Sequence, residues 1–287
     1  MSYPDFLCIG AQKSGTTWLH HQLSLHPQIW LPLVKELHYF DRPRGNRLIY
    51  KILSPELQGK FVRGNFRHFL RKNSILWTTR FIFGKRTDEY YKALFKPDAE
   101  QVSGEVTPAY AWLDANTIAH IHQLMPATKL IYLIRYPVDR VWSQINMYKR
   151  RTDVNSEISN EEVLKIKHKR LFEHTSYTYH IKRWTSYFDN SQLFIGFFDQ
   201  IEKAPNRLIK DVFCFLGVDA NYSSIQLEKD LITPQNQGCH GAIPAKLEYE
   251  LTQKLLPEIE AIHQRFDNEY TRQWMQRANE VLNKSTR

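Results

Sequence analysis

Two short stretches of this chain carry residue types spaced for binding anions. The first, Asp5 to Leu19, is a short apolar run, then a polar turn bounded by Gly10 and Gly15, then Thr16 and Thr17 at the start of a helical pattern. A strand, tight turn and helix in that order aim backbone N–H groups and the positive end of a helix dipole at one place, where an anion, usually a phosphate, is held. Ser14, Thr16 and Thr17 add hydroxyls, and Lys13 adds a full positive charge. The second stretch, Lys129 to Arg135, is apolar almost throughout, as in a parallel-sheet strand covered on both faces. It ends on Arg135, whose planar fork suits phosphate. Pro137 then turns the chain into a helix through Asp139, Arg140, Trp142 and Ser143. Arg135 at the strand tip and Ser143 two turns into the helix would both face the carboxyl edge of the sheet, where open α/β folds bind ligands.

The turn resembles a Walker A loop and departs from it in its lysine. That loop reads Gly, four residues, then Gly-Lys-Ser/Thr. Gly10 and Gly15 keep the spacing, but Thr16 stands at the lysine position and Lys13 lies inside the loop. A lysine earlier in the turn can approach the bond being broken on a 5′-phosphate-linked group. A magnesium-holding strand would end in Asp; this one ends in Arg135, so no metal is predicted.

These residues need an alternating scaffold to bring them together. The patterning predicts strand 5–10, helix 15–26, an irregular region to about 50, and helical segments from roughly 55 to 97. A helix near 114–124, strand 129–135 and helix 138–150 follow. After a variable stretch come helix 174–188, strand 192–198, helix 203–216 and a closing helical region from about 244. Alternation of strands and helices predicts a parallel sheet with right-handed crossovers. No repeat, low-complexity tract or linker divides the 287 residues, so one domain, 1–287, is expected.

Several collinear segments together resemble sulfotransferases that use 3′-phosphoadenosine 5′-phosphosulfate (PAPS). Lys13-Ser14-Gly15-Thr16-Thr17-Trp18 is similar to their 5′-phosphosulfate loop, and Arg135 through Ser143 to their 3′-phosphate motif. Lys35 to Asp41, Gly104 to Tyr110, Ser176 to Trp184 and Leu193 to Asp199 resemble segments of the heparan sulfate N- and 3-O-sulfotransferase branch. The resemblance implies a P-loop NTPase-like three-layer α/β fold, PAPS as donor, 3′,5′-adenosine bisphosphate (PAP) as product, and no required metal. It implies Glu36 as general base, Lys13 at the leaving group, and His38 steadying the transferring group or orienting the acceptor. Ser14, Gly15, Thr16, Thr17 and Trp18 would hold the 5′ end of the donor, and Arg135, Ser143 and Gly241 the 3′ side. The family pattern also marks Tyr177. Asp41 is an acceptor contact or a turn residue. Val106 replaces a lysine of the 3-O pattern, and Glu105 beside it is expected as a second acidic group near the acceptor.

Charge bears on the acceptor. The formal net charge is +9, with Lys and Arg crowded between residues 44 and 86 and interleaved with aromatics. This basic, mainly helical insertion at about 44–97 suits an anionic glycan, an anionic membrane surface touched peripherally, or an apolar acceptor with an acidic head. A solvated helix face is the plainer alternative. No nucleic-acid motif accompanies the charge. Cys8, Cys214 and Cys239 form neither a disulfide framework nor a zinc site, and Cys8 and Cys214 read as buried small hydrophobes. The first strand follows the start of the chain closely and no apolar run could span a bilayer, which predicts a soluble, cytoplasmic protein. Two other classes stay open beside a sulfotransferase acting on a glycan, lipid or small-molecule hydroxyl or amine. They are a small-molecule kinase with a degenerate loop and a non-catalytic polyanion-binding protein.

Overall fold

The computed structural model describes residues 2–42, 72–151, 170–222 and 241–284. Five strands form one sheet in the order β2-β3-β1-β4-β5: β1 Phe6–Gly10, β2 Ile29–Trp30, β3 Val102–Val106, β4 Lys129–Ile134 and β5 Leu193–Phe197. Every pairing is parallel, with Phe6 opposite both Gly104 and Lys129, and Leu130 opposite Leu193. Residues of β1 and β4 alternate between two cores, as a pleated strand covered on both faces requires. Leu7, Ile9, Leu130, Tyr132 and Ile134 join one cluster, while Phe6, Cys8, Ile131 and Leu133 join the other. The α/β sandwich expected from the alternation is present, with helices on both faces of a parallel sheet.

The helices are α1 Thr16–Leu25, α2 Lys72–Phe83, α3 Asp88–Lys92, α4 Ala115–Leu124, α5 Pro137–Arg151, α6 Tyr177–Trp184, α7 Phe198–Lys203, α8 Pro205–Leu216, α9 Ala245–Phe266 and α10 Glu269–Lys284. α8 starts on Pro205 because a first-turn residue needs no N–H donor, and it ends where Gly217 turns left-handed at φ 81°. The buried residues of α8 are Leu208, Ile209, Val212, Phe213 and Leu216. Cys214 falls on the opposite side and is exposed, which corrects its expected burial; Cys8 is buried as expected.

Two strands, β2 and β3, do not stand out in the sequence. β3 reads Val-Ser-Gly-Glu-Val, yet its last four residues are buried. Gly104 is needed there because a Cβ would lie 2.3 Å from the ring of Phe6 on β1. Much of the basic insertion, residues 43–71, lies outside the described residues, so its proposed contact with acceptor or membrane does too. Of its described cations, Arg80 donates to the Ala93 carbonyl at 3.1 Å, and Arg86 is buried. On α2, Trp77 and Phe81 stack with centroids 5.0 Å apart in the core, while Leu76 and Phe83 are exposed. Among the described residues no helix is long and apolar enough to cross a membrane.

Candidate active site

The candidate residues gather at the carboxyl ends of three adjacent strands, β3, β1 and β4. β1 lies between strands reached from opposite sides of the sheet, the switch point where such folds open a crevice. From β1 the chain enters loop 11–15, anchored by Ala11 N–H donating to the Leu133 carbonyl at 2.6 Å. Gly15 caps α1 in the left-handed region, φ 87°, and a Cβ there would meet Ile201 Cδ1 at 2.2 Å. Lys13 shares that region at φ 72° without being glycine. A left-handed non-glycine residue costs about 1–2 kcal/mol and persists where its surroundings over-determine it. Ser14 and Thr16 are buried at the base of the loop. Trp18 sits apart from them, 4% exposed, packed into the second core cluster with Leu19 and Val106.

Arg135 leaves the end of β4 and crosses to this loop. Its Nη1 donates to the Lys13 carbonyl at 3.4 Å, and its guanidinium lies 4.2 Å from the centroid of the Phe198 ring. Its Nε is buried without a hydrogen-bond partner among the described residues, a donor that an anion would satisfy. Buried Tyr177 steadies the strand end, its hydroxyl donating to the Arg135 carbonyl at 2.9 Å. Arg135, Ser143 and Gly241 line one cavity of about 320 Å³. Gly241 is held there by Trp142, whose indole N–H donates to the Gly241 carbonyl at 3.2 Å. Further along α5, fully buried Arg140 is held by Thr175 Oγ1 at 2.8 Å and Gln144 Oε1 at 2.5 Å. Gln144 Nε2 in turn reaches Gln12 Oε1 in the loop at 3.3 Å. The residues present thus offer a dianion a hydroxyl, an unmatched guanidinium N–H and a backbone loop, which fits a bisphosphorylated nucleotide.

The third group is the turn from Lys35 to Asp41, tied to the end of β3 by Glu36 N–H donating to the Val106 carbonyl at 3.1 Å. Glu36 and His38 are left-handed, φ 65° and 52°. Together with Lys13, three of the chain's four positive-φ non-glycine residues among the described set are the ones implied as catalytic. His38 bridges two carboxylates, with Nε2 3.3 Å from Glu36 Oε2 and Nδ1 2.7 Å from Asp41 Oδ2. Lys35 Nζ lies 3.0 Å from Glu36 Oε1 and 3.2 Å from Thr17 Oγ1, joining this turn to the first turn of α1. Burial would raise the Glu36 carboxyl, but the hydrogen bond from His38 and the charge and hydrogen bond of Lys35 hold it down to about 2. Burial likewise opposes charge on His38, and Asp41 and Glu36 outweigh it, raising the imidazole above its ordinary range. The arrangement is an imidazole held between two carboxylates, which favour its protonated form.

What fixes this strained turn is not evident in the sequence. Arg86, read there as one cation of a basic stretch, is 8% exposed and clasps the turn from behind. Its Nη2 donates to the His38 carbonyl at 2.7 Å and to that of Tyr39, and its Nη1 to that of Arg42 at 3.1 Å. The guanidinium also sits 5.0 Å over the Tyr39 ring. Tyr39 N–H donates to the Tyr110 hydroxyl at 2.9 Å. That hydroxyl donates to Glu105, as do Tyr91 at 2.5 Å and Thr107 at 2.7 Å. Glu105 is therefore not an acidic group facing an acceptor: it is wholly buried, and its burial raises its pKa against these three donors. The Pro-Ala-Tyr after β3 was the one available signal for Tyr110. Among the described residues no group of His, Cys, Asp and Glu is arranged to hold a metal ion.

Known proteins share this framework. The model of the sulfotransferase domain family matches residues 3–236. The mouse bifunctional heparan sulfate N-deacetylase/N-sulfotransferase 4 is 28% identical over 233 residues, which are 77% of this chain and only 23% of that protein. A crystal structure of a sulfotransferase from Alicyclobacillus acidocaldarius superposes with a TM-score of 0.68 at 22% identity, covering 96% of this chain and 100% of that one. A mouse sulfotransferase solved in complex with PAP gives a TM-score of 0.54 at 14% identity, covering 98% and 91%. With a family match over most of its length, laid on a parallel sheet whose strand ends collect these groups, the chain belongs to the sulfotransferase domain family.

Proposed function

We propose that this protein moves a sulfuryl group from PAPS to a hydroxyl or amine of a carbohydrate acceptor. The observation that carries the reading is the meeting of the Lys13 loop, Arg135 and the Glu36 turn at three neighbouring strand ends. Two relatives add support: one is named for heparan sulfate and one was solved with PAP. Bound PAPS supplies an activated sulfuryl group on its 5′-phosphate. Around it, the loop amides with Ser14, Gly15, Thr16 and Thr17 hold the 5′ end, and Arg135, Ser143 and Gly241 hold the 3′-phosphate side. Positioning and charge stabilisation do most of the work in such a transfer.

The two acidic and basic groups of the turn divide their roles by protonation. Contact with two carboxylates favours the protonated form of His38, so the base role falls to Glu36; His38 orients Glu36 and is itself oriented by Asp41. Glu36 is ionised and accepts the acceptor's proton as general base. With its pKa near 2 it is a weak base while Lys35 is in contact. Lys35 also touches Thr17, so a turn of its ammonium towards an anion seated at Thr17 releases Glu36 Oε1 and strengthens the base. Lys13 neutralises charge that grows on the leaving oxygen. None of these steps draws on a metal ion.

The test is thermal stabilisation by PAP without metal, beside ATP with magnesium. A ligand that binds only the folded state stabilises by about 2.7 kcal/mol at a concentration one hundred times its Kd. A clear upward shift with PAP alone is expected, followed by label transfer from PAPS to heparan-type oligosaccharides. A shift with ATP and magnesium only would replace this reading with the kinase, and no shift with either would replace it with polyanion binding.

A further inference from the structure

The cavity that Arg135, Ser143 and Gly241 share has a second wall, made by the C-terminal helices α9 and α10. These helices lie beyond residue 236, where the family match ends. They pack against each other as a hairpin, and α9 packs against α5. Leu247, Leu251 and Leu255 of α9 are buried, and Trp274 of α10 meets the Tyr136 ring with centroids 6.0 Å apart. From them Glu248 and Arg277 enter the cavity lining, facing Asp139 on α5. Arg277 Nη1 donates to Asp139 Oδ2 at 2.9 Å, its Nη2 donates to Glu248 Oε1 at 2.8 Å, and the guanidinium lies 4.6 Å from the centroid of the Tyr136 ring.

The charges in this lining decide what it can accept. Among the described lining residues, Arg135 and Arg277 balance Asp139 and Glu248. With Arg277 removed, one guanidinium would face two carboxylates. A dianionic phosphate on Arg135 and Ser143 would then be repelled at short range, partly buried charges being screened less than fully exposed ones. An arginine pinned at both ends of its fork is also already ordered, so seating a ligand beside it costs little side-chain entropy.

We propose that Arg277 is a nucleotide-site residue: by pairing with Asp139 and Glu248 and offsetting part of their charge, it leaves Arg135 able to select a 3′-phosphorylated nucleotide. The last helix thereby becomes part of the donor site. This rests on the 3′-phosphate reading of Arg135 and Ser143 given above.

The experiment measures, on the full chain at fixed ionic strength, the affinities of PAP and of 5′-AMP, which lacks only the 3′-phosphate. Wild-type protein that does not prefer PAP would defeat the underlying reading and not the role of Arg277 as such. Given that preference, Arg277→Gln is expected to reduce it about tenfold or more, the worth of one charged contact, while 5′-AMP binding changes little. Glu248→Gln removes one carboxylate and should shift the preference the other way, towards tighter PAP. An Arg277→Gln ratio equal to wild type overturns the proposal. Should Arg277→Gln bind neither nucleotide because it fails to fold, the Glu248→Gln result decides: a raised PAP preference supports the proposal and an unchanged or lowered one overturns it.

Discussion

The loop at residues 11–15 and the turn at residues 35–41 sit on neighbouring strand ends and are built in opposite ways. The loop takes its course mainly from its neighbours in sequence: β1 runs into it, α1 leaves it, and Gly15 supplies the left-handed residue that starts the helix, with Ala11 and Lys13 tied to the end of β4. The turn belongs to no regular element. Its two left-handed residues are held by groups far away in the chain: Val106, Tyr110, and Arg86 with its three carbonyl contacts. A loop between a strand and a helix takes its course largely from backbone direction, whereas a carboxylate and an imidazole held at set distances in left-handed backbone need a shell that outweighs their strain.

Substitutions can break this comparison at each level. The largest effect is expected from Glu36→Gln, which should lower turnover by about 100-fold or more, the usual worth of a general base. PAP affinity should stay within a factor of about three, because the glutamine carboxamide keeps an oxygen for Lys35 and the substitution leaves the loop's own groups in place. Substantial remaining turnover, measured with saturating PAPS, would take the base role from Glu36.

Arg135→Ala comes next and probes the local half. It should weaken PAP by about tenfold to 100-fold, as loss of a charged phosphate contact does, and 5′-AMP much less. Equal weakening of both nucleotides would show that Arg135 supports the loop and not a 3′-phosphate.

Arg86→Met sharpens the contrast from the other side. It leaves the loop intact and strips three carbonyls of their donor, so kcat should fall about tenfold while PAP affinity holds, at a stability cost of about 1–3 kcal/mol. Parallel loss of PAP affinity in a folded variant would mean that the turn and the loop are not independent.

The smallest effect concerns pH. The folded-state pKa of His38 is raised, so its contribution to stability is fully present below about 6.5, the unfolded value, and is lost as pH rises through the folded value. Glu36 behaves in the opposite sense: its contribution is present above its unfolded value and disappears as pH falls towards 2. Denaturant titrations of wild type and His38→Gln should accordingly converge on the alkaline side. A stability gap that is constant from pH 6 to 9 would contradict the charged bridge to Glu36 and Asp41.

Periodicity and turn chemistry carry a good deal of this molecule on their own. The buried runs of β1 and β4, the Gly-containing loop, Arg135 at a strand tip and α5 behind it all follow from neighbours in sequence, so the α/β class and the gathering of Arg135 and the Lys13 loop at the sheet edge were legible. The motifs around Glu36 and His38 named the residues but not their conformation. What only the tertiary structure decided depends on side chains meeting across long separations. Polar β3 is a core strand because Gly104 lets Phe6 pack on it and three hydroxyls satisfy Glu105. Arg86 belongs to the Glu36 turn, not to a solvated basic face, because the fold brings it beneath three open carbonyls. Arg277 reaches the Arg135 cavity because the final hairpin folds back onto α5. A sequence pattern records a residue's neighbours at a spacing of two or four; burial and charge balance at these sites are set by residues dozens of positions away.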